Sequence, residues 1–278
     1  MMRFVGMRTG GRLPVLGLGT WKMGAEPRRR AAEVAALKLG LDLGVTMIDT
    51  AELYANGAAE EIVAEAIAGR RDEVTLVSKV LPGNASRLGT IEAAERSLRR
   101  LRTDRIDLYL LHWPGDHPLA DTLAALASLR AAGKIREYGL SNFDRPELEA
   151  AEALPGGGEV AANQVLYNLE RRGIERALLP WCAGRGVAVM AYSPLDEGKL
   201  RVRPALARVA ARHGVTPHTV AIAWTLRLPG VVALPKATHP EHVRDCVAAA
   251  VLTLDPADLA ELEAAYPAPA RDIPLETA

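Results

Sequence analysis

Cysteine is almost missing from this 278-residue sequence: only Cys182 and Cys246 occur, far apart and without CxxC spacing. That argues against a disulfide framework or a zinc cluster, and both thiols are expected to be buried and free. An excess of one charge is missing too. Lys plus Arg and Asp plus Glu number 34 each, so there is no basic surplus of the kind that nucleic acid or an anionic membrane requires. No apolar run approaches the roughly 18 residues of a membrane span, and the opening MMRFVGMRTGGRLP lacks the apolar core of a secretion signal. The expectation is a cytoplasmic monomer acting on a small molecule, with neither nucleic acid nor membrane as partner. No Pro/Gly/Ser-rich linker divides the chain, and LPGGGE at 154–159 is short enough to be one loop. Residues 1–278 are therefore read as a single domain.

What is present is alternation. Short β-branched or leucine-rich runs recur between longer stretches of helical periodicity, the pattern of a parallel sheet built from βα units. The strand candidates are 15–19, 45–48, 74–78, 106–111, 137–140, 160–162, 187–191 and 231–234. Between them lie helices such as PLADTLAALASLRAAGK, with Leu119, Leu123 and Leu126 on one face and Gly133 as the stop. The polar residues following the eight runs are Thr20, Asp49, Lys79, His112, Ser141, Gln164, Tyr192 and Lys236, and most of the gaps between them are close to the length of one βα unit. The last gap is longer because it holds two helical segments, near 204–212 and 217–227, one of them an insertion. Eight such units predict a (β/α)8 barrel, with a hairpin around residues 9–12 capping its floor and extra helices after the last strand. A doubly wound open sheet would need a GxGxxG loop after its first strand, and GLGLGTW does not supply one.

Barrels of this kind carry their chemistry at the C-terminal ends of the strands. Asp49, Tyr54, Lys79 and His112 would therefore share one mouth although 63 positions separate the first from the last. Their types suit carbonyl chemistry. A free phenol, with a pKa near ~10, is a poor acid at neutral pH, and an adjacent ammonium lowers that value. Lys79 is expected to supply the ammonium, Asp49 to hold it protonated and in place, and His112 to orient the carbonyl oxygen. An aldolase-like Schiff base on Lys79 is the competing reading, and it leaves Asp49 and Tyr54 less well explained.

The stretches PVLGLGTWKMG, IDTAELYANGAAEE, LVSKV, DLYLLHWP, GLSNF, NQVLYN, AYSPL and LPKATHPEHVRD occur in this order. Together they make the sequence resemble the aldo-keto reductases over nearly its whole length, most closely the bacterial type with a short C-terminal loop. The resemblance implies NADPH in an extended pose and hydride transfer to an aldehyde or ketone. It places Asp49, Tyr54, Lys79 and His112 on the family's catalytic tetrad, with Tyr54 as the general acid. Ser141, Asn142 and Gln164 fall where the family holds the carboxamide, Tyr192 on the ring that stacks against the nicotinamide, and Ser193 and Leu195 at the pyrophosphate. Thr20, Trp21 and Asp49 lie beside the cofactor. Lys236, Ala237, Thr238, His242 and Asp245 fall in the adenosine segment, and Trp21 and Trp113 join Tyr54 and His112 as walls of the substrate pocket.

In two places the sequence departs from the family pattern. Where that pattern has a serine and an arginine near the 2′-phosphate, this chain has Ala237 and His242, exchanging a hydroxyl for a methyl group and a permanent charge for one that titrates. NADPH stays the expected cofactor, with NADH as the alternative. His239 and His242 lack a third partner in the sequence, so no metal site is expected. The tail YPAPARDIPLETA is short, which predicts an open, weakly selective mouth suited to small carbonyls such as 2-oxoaldehydes. Some aldo-keto-reductase-like chains serve as cofactor-binding regulatory subunits. Here the intact tetrad favours turnover.

Overall fold

The computed structural model describes residues 2–278. The chain opens with an antiparallel hairpin of β1 (Phe4–Gly6) and β2 (Arg12–Pro14), paired Val5 to Leu13. Arg8 at its tip bonds Gly186 and Gly158, in the loops leading into two later strands, so the hairpin closes the N-terminal floor of the sheet. The expected hairpin is there, although residues 9–12 are mainly its turn and the paired strands lie to either side.

Eight parallel strands follow: β3 (Gly17–Gly19), β4 (Met47–Asp49), β5 (Thr75–Val80), β6 (Ile106–Leu111), β7 (Ile135–Ser141), β8 (Ala162–Leu166), β9 (Ala188–Tyr192) and β10 (Val231–Leu234). Each pairs with its neighbours in chain order. A parallel bridge between Leu16 and Ala233 and the bond from Gly19 N to Pro235 O (2.9 Å) join the first strand to the last, closing the barrel. The strands are buried nearly throughout, as a sheet covered on its outer face by helices requires. β8 is the one misplaced strand, expected at 160–162 and found at Ala162–Leu166. The polar pair Asn163 and Gln164 looks like loop in the sequence. Buried strand positions tolerate both because Asn163 Nδ2 bonds Phe143 O and Gln164 Nε2 bonds Asp49.

The covering helices are α1 (Arg30–Asp42), α2 (Ala58–Ala66), α3 (Arg87–Leu101), α4 (Leu119–Ala131), α5 (Arg145–Glu152), α6 (Leu178–Arg185), α7 (Pro204–His213), α8 (Pro217–Thr225), α9 (Pro240–Val251) and α10 (Pro256–Ala265). Their starts are written locally. Ser86 and Thr216 cap α3 and α8, capping boxes open α5 and α10, and proline occupies the first turn of α5 and of α7 through α10. The inserted helix is α7, which packs on α8 and α10, whereas α8 lies against β10. Among the described residues no helix is long and apolar enough to cross a membrane.

One connection sets the position of the phenol. After β4 the chain makes a tight turn in which Ala55, Asn56 and Gly57 all have positive φ (49°, 55° and 91°), and α2 starts at once. Fully buried Glu60 in the first turn of α2 anchors the bend, accepting from Ser78 Oγ and Arg100 Nε, both at 2.6 Å. A Cβ on Gly57 would lie 2.5 Å from Arg100 Nε, so that position demands glycine for both its φ and its space. Gly57→Ala is expected to cost about 1–3 kcal/mol in urea-denaturation experiments. A midpoint equal to the parent's would show that the turn accommodates a side chain.

Candidate active site

The C-terminal strand ends surround a cavity of about 510 Å³. At its inner end sits the group formed by Asp49, Lys79 and Tyr54. Lys79 is fully buried and its Nζ donates to both Asp49 oxygens (2.9 and 2.7 Å), to Thr50 O (2.9 Å) and to Tyr54 Oη (3.3 Å). Burial alone would pull the ammonium's pKa down. Asp49 and Tyr54 together outweigh it and hold the value above the usual lysine range, so Lys79 is a cation. Access and charge both disfavour it as a Schiff-base nucleophile: it lies beneath the cavity lining, and its protons are engaged.

Tyr54 corrects the expectation of a depressed phenol. Burial raises its pKa above 10 on balance, with Lys79 lowering it and Asp49 raising it. The ammonium opposes desolvation without overcoming it, because the phenol is only 8 % exposed and lies between Trp21 (ring centroids 5.0 Å) and His112 (5.7 Å). The phenol oxygen accepts from Lys79, which leaves its own proton free for the cavity that Tyr54 lines.

His112 is held neutral, its pKa pushed down to about 2 by burial and by the nearby Lys79 charge. Its Nδ1 is buried without a partner. An unpartnered buried lone pair is better tolerated than an unpartnered N–H, so the tautomer with the proton on Nε2 is favoured, and the ring becomes a neutral donor.

Around this centre, Ser141, Asn142, Gln164 and Tyr192 line one wall. Asn142 has φ 59°; its Nδ2 donates to His112 O (3.0 Å) and Ser141 Oγ (3.2 Å), and its Oδ1 accepts from Tyr192 Oη (2.9 Å). Tyr192 stays a neutral phenol, pushed up to about 12 by burial. Trp21 and Trp113 line the mouth, both partly exposed. The cavity continues past Ser193 and Leu195 to Lys236, Ala237, His242 and Asp245. Burial, aided by the charges of Arg29 and Lys22 and opposed by Glu33, pulls Lys236 below the usual lysine value. This end carries Lys22 and Lys236 together with the carboxylates of Glu197 and Asp245.

Three expected positions fall off the lining. Lys79 acts from below, Thr238 does not reach the cavity, and Thr20 is fully buried with Oγ1 bonded to Asp49 O (3.0 Å), so it fixes the strand end and has no surface for a cofactor. Other residues join unforeseen. Lys22 pairs with Glu197 across the cleft (3.6 Å), and His218 lines it from the start of α8. Glu197 sits in an irregular loop that sequence periodicity cannot describe. Residues 266–278 are held by Arg172 on Tyr266 O, Arg176 on Pro269 O (2.7 Å) and Arg171 on Glu276 (2.9 Å), and bring Ala278 to the cavity lining, where its N donates to Tyr192 Oη (3.3 Å). Three arginines of the loop after β8 thus set the path of this segment. The rings of His239 and His242 lie 5.5 Å apart, and among the described residues no cluster of three metal-ligating side chains includes them.

The Aldo/keto reductase family profile matches residues 15–267. The chain belongs to the aldo/keto reductase family. It is 48% identical over 262 residues to methylglyoxal reductase YeaE of Escherichia coli K12, covering 92% of each chain. It is 34% identical to methylglyoxal reductase DkgB of Salmonella typhimurium over 252 residues, 88% of this chain and 90% of that one. An aldo/keto reductase from Klebsiella pneumoniae, solved in complex with NADP and acetate, superposes with a TM-score of 0.97 at 46% identity, covering 100% of both chains. The chain is accordingly an oxidoreductase of this family.

The protonation of His112 can be read directly. In long-range 1H–15N spectra its ring is expected to stay neutral, with Nε2 protonated, from about pH 5 to about pH 8. An imidazolium signal in that window would overturn the assignment.

Proposed function

We propose that this protein reduces small aldehydes and ketones, 2-oxoaldehydes such as methylglyoxal among them, to alcohols with NADPH, and that Tyr54 is the proton donor. The observation that carries the reading is the single direction of the phenol's hydrogen bonding. Lys79 donates to its oxygen at 3.3 Å, so the phenol proton is the one left to give.

The residues lining the cavity fit the cofactor. Tyr192 offers a flat ring, Ser141 a hydroxyl proton and Gln164 an amide oxygen that together match a carboxamide. Asn142 supports that wall, and Ser193 and Leu195 line the stretch suited to the pyrophosphate. Lys236, His242 and Lys22 supply cationic or protonatable groups for phosphate, with Ala237 and Asp245 beside them. NADPH, when bound, supplies the hydride. The chain's own residues do the rest. His112 donates from Nε2 to the carbonyl oxygen and aims it at Tyr54. Tyr54 passes its proton to that oxygen as negative charge develops there, and the fixed Lys79 ammonium stabilises the phenolate left behind. Asp49 neutralises the lysine in the ground state so that the site does not carry an uncompensated buried cation. Trp21, Trp113 and the tail shield the reacting group from water.

The names of the relatives support the substrate class: both curated relatives above are methylglyoxal reductases. The reacting end of the cavity, lined by Trp21, Trp113, Tyr54 and His112, can take a small carbonyl.

Tyr54→Phe is expected to lower kcat for methylglyoxal roughly 10²–10⁴-fold, leaving the NADPH affinity from fluorescence titration near the parent's. Parental turnover in the variant would remove Tyr54 from the acid role. Flat traces for the parent across an aldehyde panel, with NADPH bound, would instead favour a regulatory subunit.

Cofactor choice has its own test. Lys236 is the lysine at the adenosine end, and His242 stands where the family pattern places arginine. His242→Arg is expected to tighten NADPH by about 1–2 kcal/mol at pH 8.5, with little change for NADH. Equal NADPH affinity in the two proteins would show that position 242 does not meet the phosphate.

A further inference from the structure

We infer that Gln164 is a positioning residue for proton transfer: by bonding Asp49 across the barrel it sets how much of the Lys79 charge reaches Tyr54. This rests on the reading of Tyr54 as proton donor, and it adds a role distinct from any contact Gln164 makes with a carboxamide.

The geometry is unusual for two strands that do not adjoin. Asp49 ends β4 and Gln164 lies within β8, with β5, β6 and β7 between them in the sheet. Their side chains nevertheless meet, Gln164 Nε2 to Asp49 Oδ1 at 2.7 Å, 115 positions apart in the chain. The bond therefore spans the barrel lumen. Its direction is fixed by chemistry, because an ionised carboxylate only accepts, so the amide nitrogen must face Asp49 and Oε1 is left for the cavity. The same Asp49 oxygen accepts from Lys79 at 2.9 Å, and the other from Lys79 at 2.7 Å. Gln164 is thus the only side chain besides Lys79 that donates to this carboxylate among the described residues.

The consequence is electrostatic. Asp49 and Lys79 act on the Tyr54 phenol in opposite directions, the carboxylate disfavouring phenolate and the ammonium favouring it. An N–H directed at Asp49 spreads part of its charge. Without that N–H, Asp49 would cancel more of the ammonium's field, and the phenol would become a weaker acid. A ligand amide that donates to Oε1 polarises the same glutamine and strengthens its bond to Asp49, so occupancy of the carboxamide subsite would be transmitted to the proton donor through four consecutive hydrogen bonds, the last three being Gln164 to Asp49, Lys79 to Asp49 and Lys79 to Tyr54. The other groups facing the phenol do not blur the readout. His112 is neutral, held down near about 2, and Tyr192 is a neutral phenol pushed up to about 12.

The test uses the full-length enzyme in the alcohol-oxidation direction with NADP+, where the ionised phenol is the base and kcat rises through its ionisation. Gln164→Met keeps the side-chain length and removes the donor, and its kcat limb is expected to move to higher pH by about half a unit to one unit. Gln164→Asn keeps an amide but is one methylene too short to reach Asp49. It should shift the limb in the same direction, which keeps the claim testable if the methionine variant fails to fold. A limb in the parental position in a folded variant, with only the KM for NADP+ raised, would overturn the inference and confine Gln164 to holding the cofactor. Tyr54→Phe is measured alongside. If it retains the limb, the proton-donor reading itself fails; if it loses the limb while Gln164→Met leaves it in place, only the role of Gln164 fails.

Discussion

The buried ion pair of Lys79 and Asp49 is the contact on which the rest of the site depends. Neither charge can stay in the barrel interior alone, since losing one partner of such a pair costs about 3–5 kcal/mol. Well-packed apolar residues would serve stability as well, so the pair is poor evidence for a purely structural role. It also dictates geometry. Lys79 must reach from β5 to β4, Thr50 O must turn inward to take another of its protons, and Tyr54 must return over the top to take up the remaining contact. Behind this arrangement Ser78, next to Lys79, ties β5 to Glu60, and Glu60 ties the first turn of α2 to Arg100.

Rigid strands below are matched by a strained rim above. Eight non-glycine residues among those described have positive φ, and seven of them lie at or near the mouth: Lys22, Ala55, Asn56, Asn142, Ser193, Asp196 and Glu197. The eighth, Arg102, is the C-cap of α3. Left-handed backbone costs about 1–3 kcal/mol at each such residue and persists only where surroundings over-determine it. Here the returns are visible. Asn142 in that conformation engages His112 O, Ser141 and Tyr192 with one side chain, and Glu197 pairs with Lys22 across the cleft.

Much of the site was legible before folding because barrel chemistry follows a simple rule of position. Asp49, Ser141 and Tyr192 each end a strand and Lys79 lies one residue before its strand's end, which is where periodicity alone would put reactive groups. The miss at β8 has the opposite cause. Asn163 and Gln164 are polar inside a strand, and their partners, Phe143 O and Asp49, lie 20 and 115 positions away. The path of the tail was not legible for the same reason, since it depends on Arg171, Arg172 and Arg176 in a loop about a hundred residues earlier.

Composition and spacing by themselves determined the barrel, the order of its strands and the residue types gathered at its mouth, because hydrophobic period and turn chemistry are local and add up along the chain. Only the tertiary structure decided the protonation and direction of those groups. That the Tyr54 phenol is raised and not depressed, that His112 is neutral with Nδ1 shut away, and that Gln164 presents its nitrogen to Asp49 all depend on desolvation and on charges brought close from distant strands. Burial and through-space fields belong to the folded surroundings of an atom, and no run of neighbouring residues encodes them.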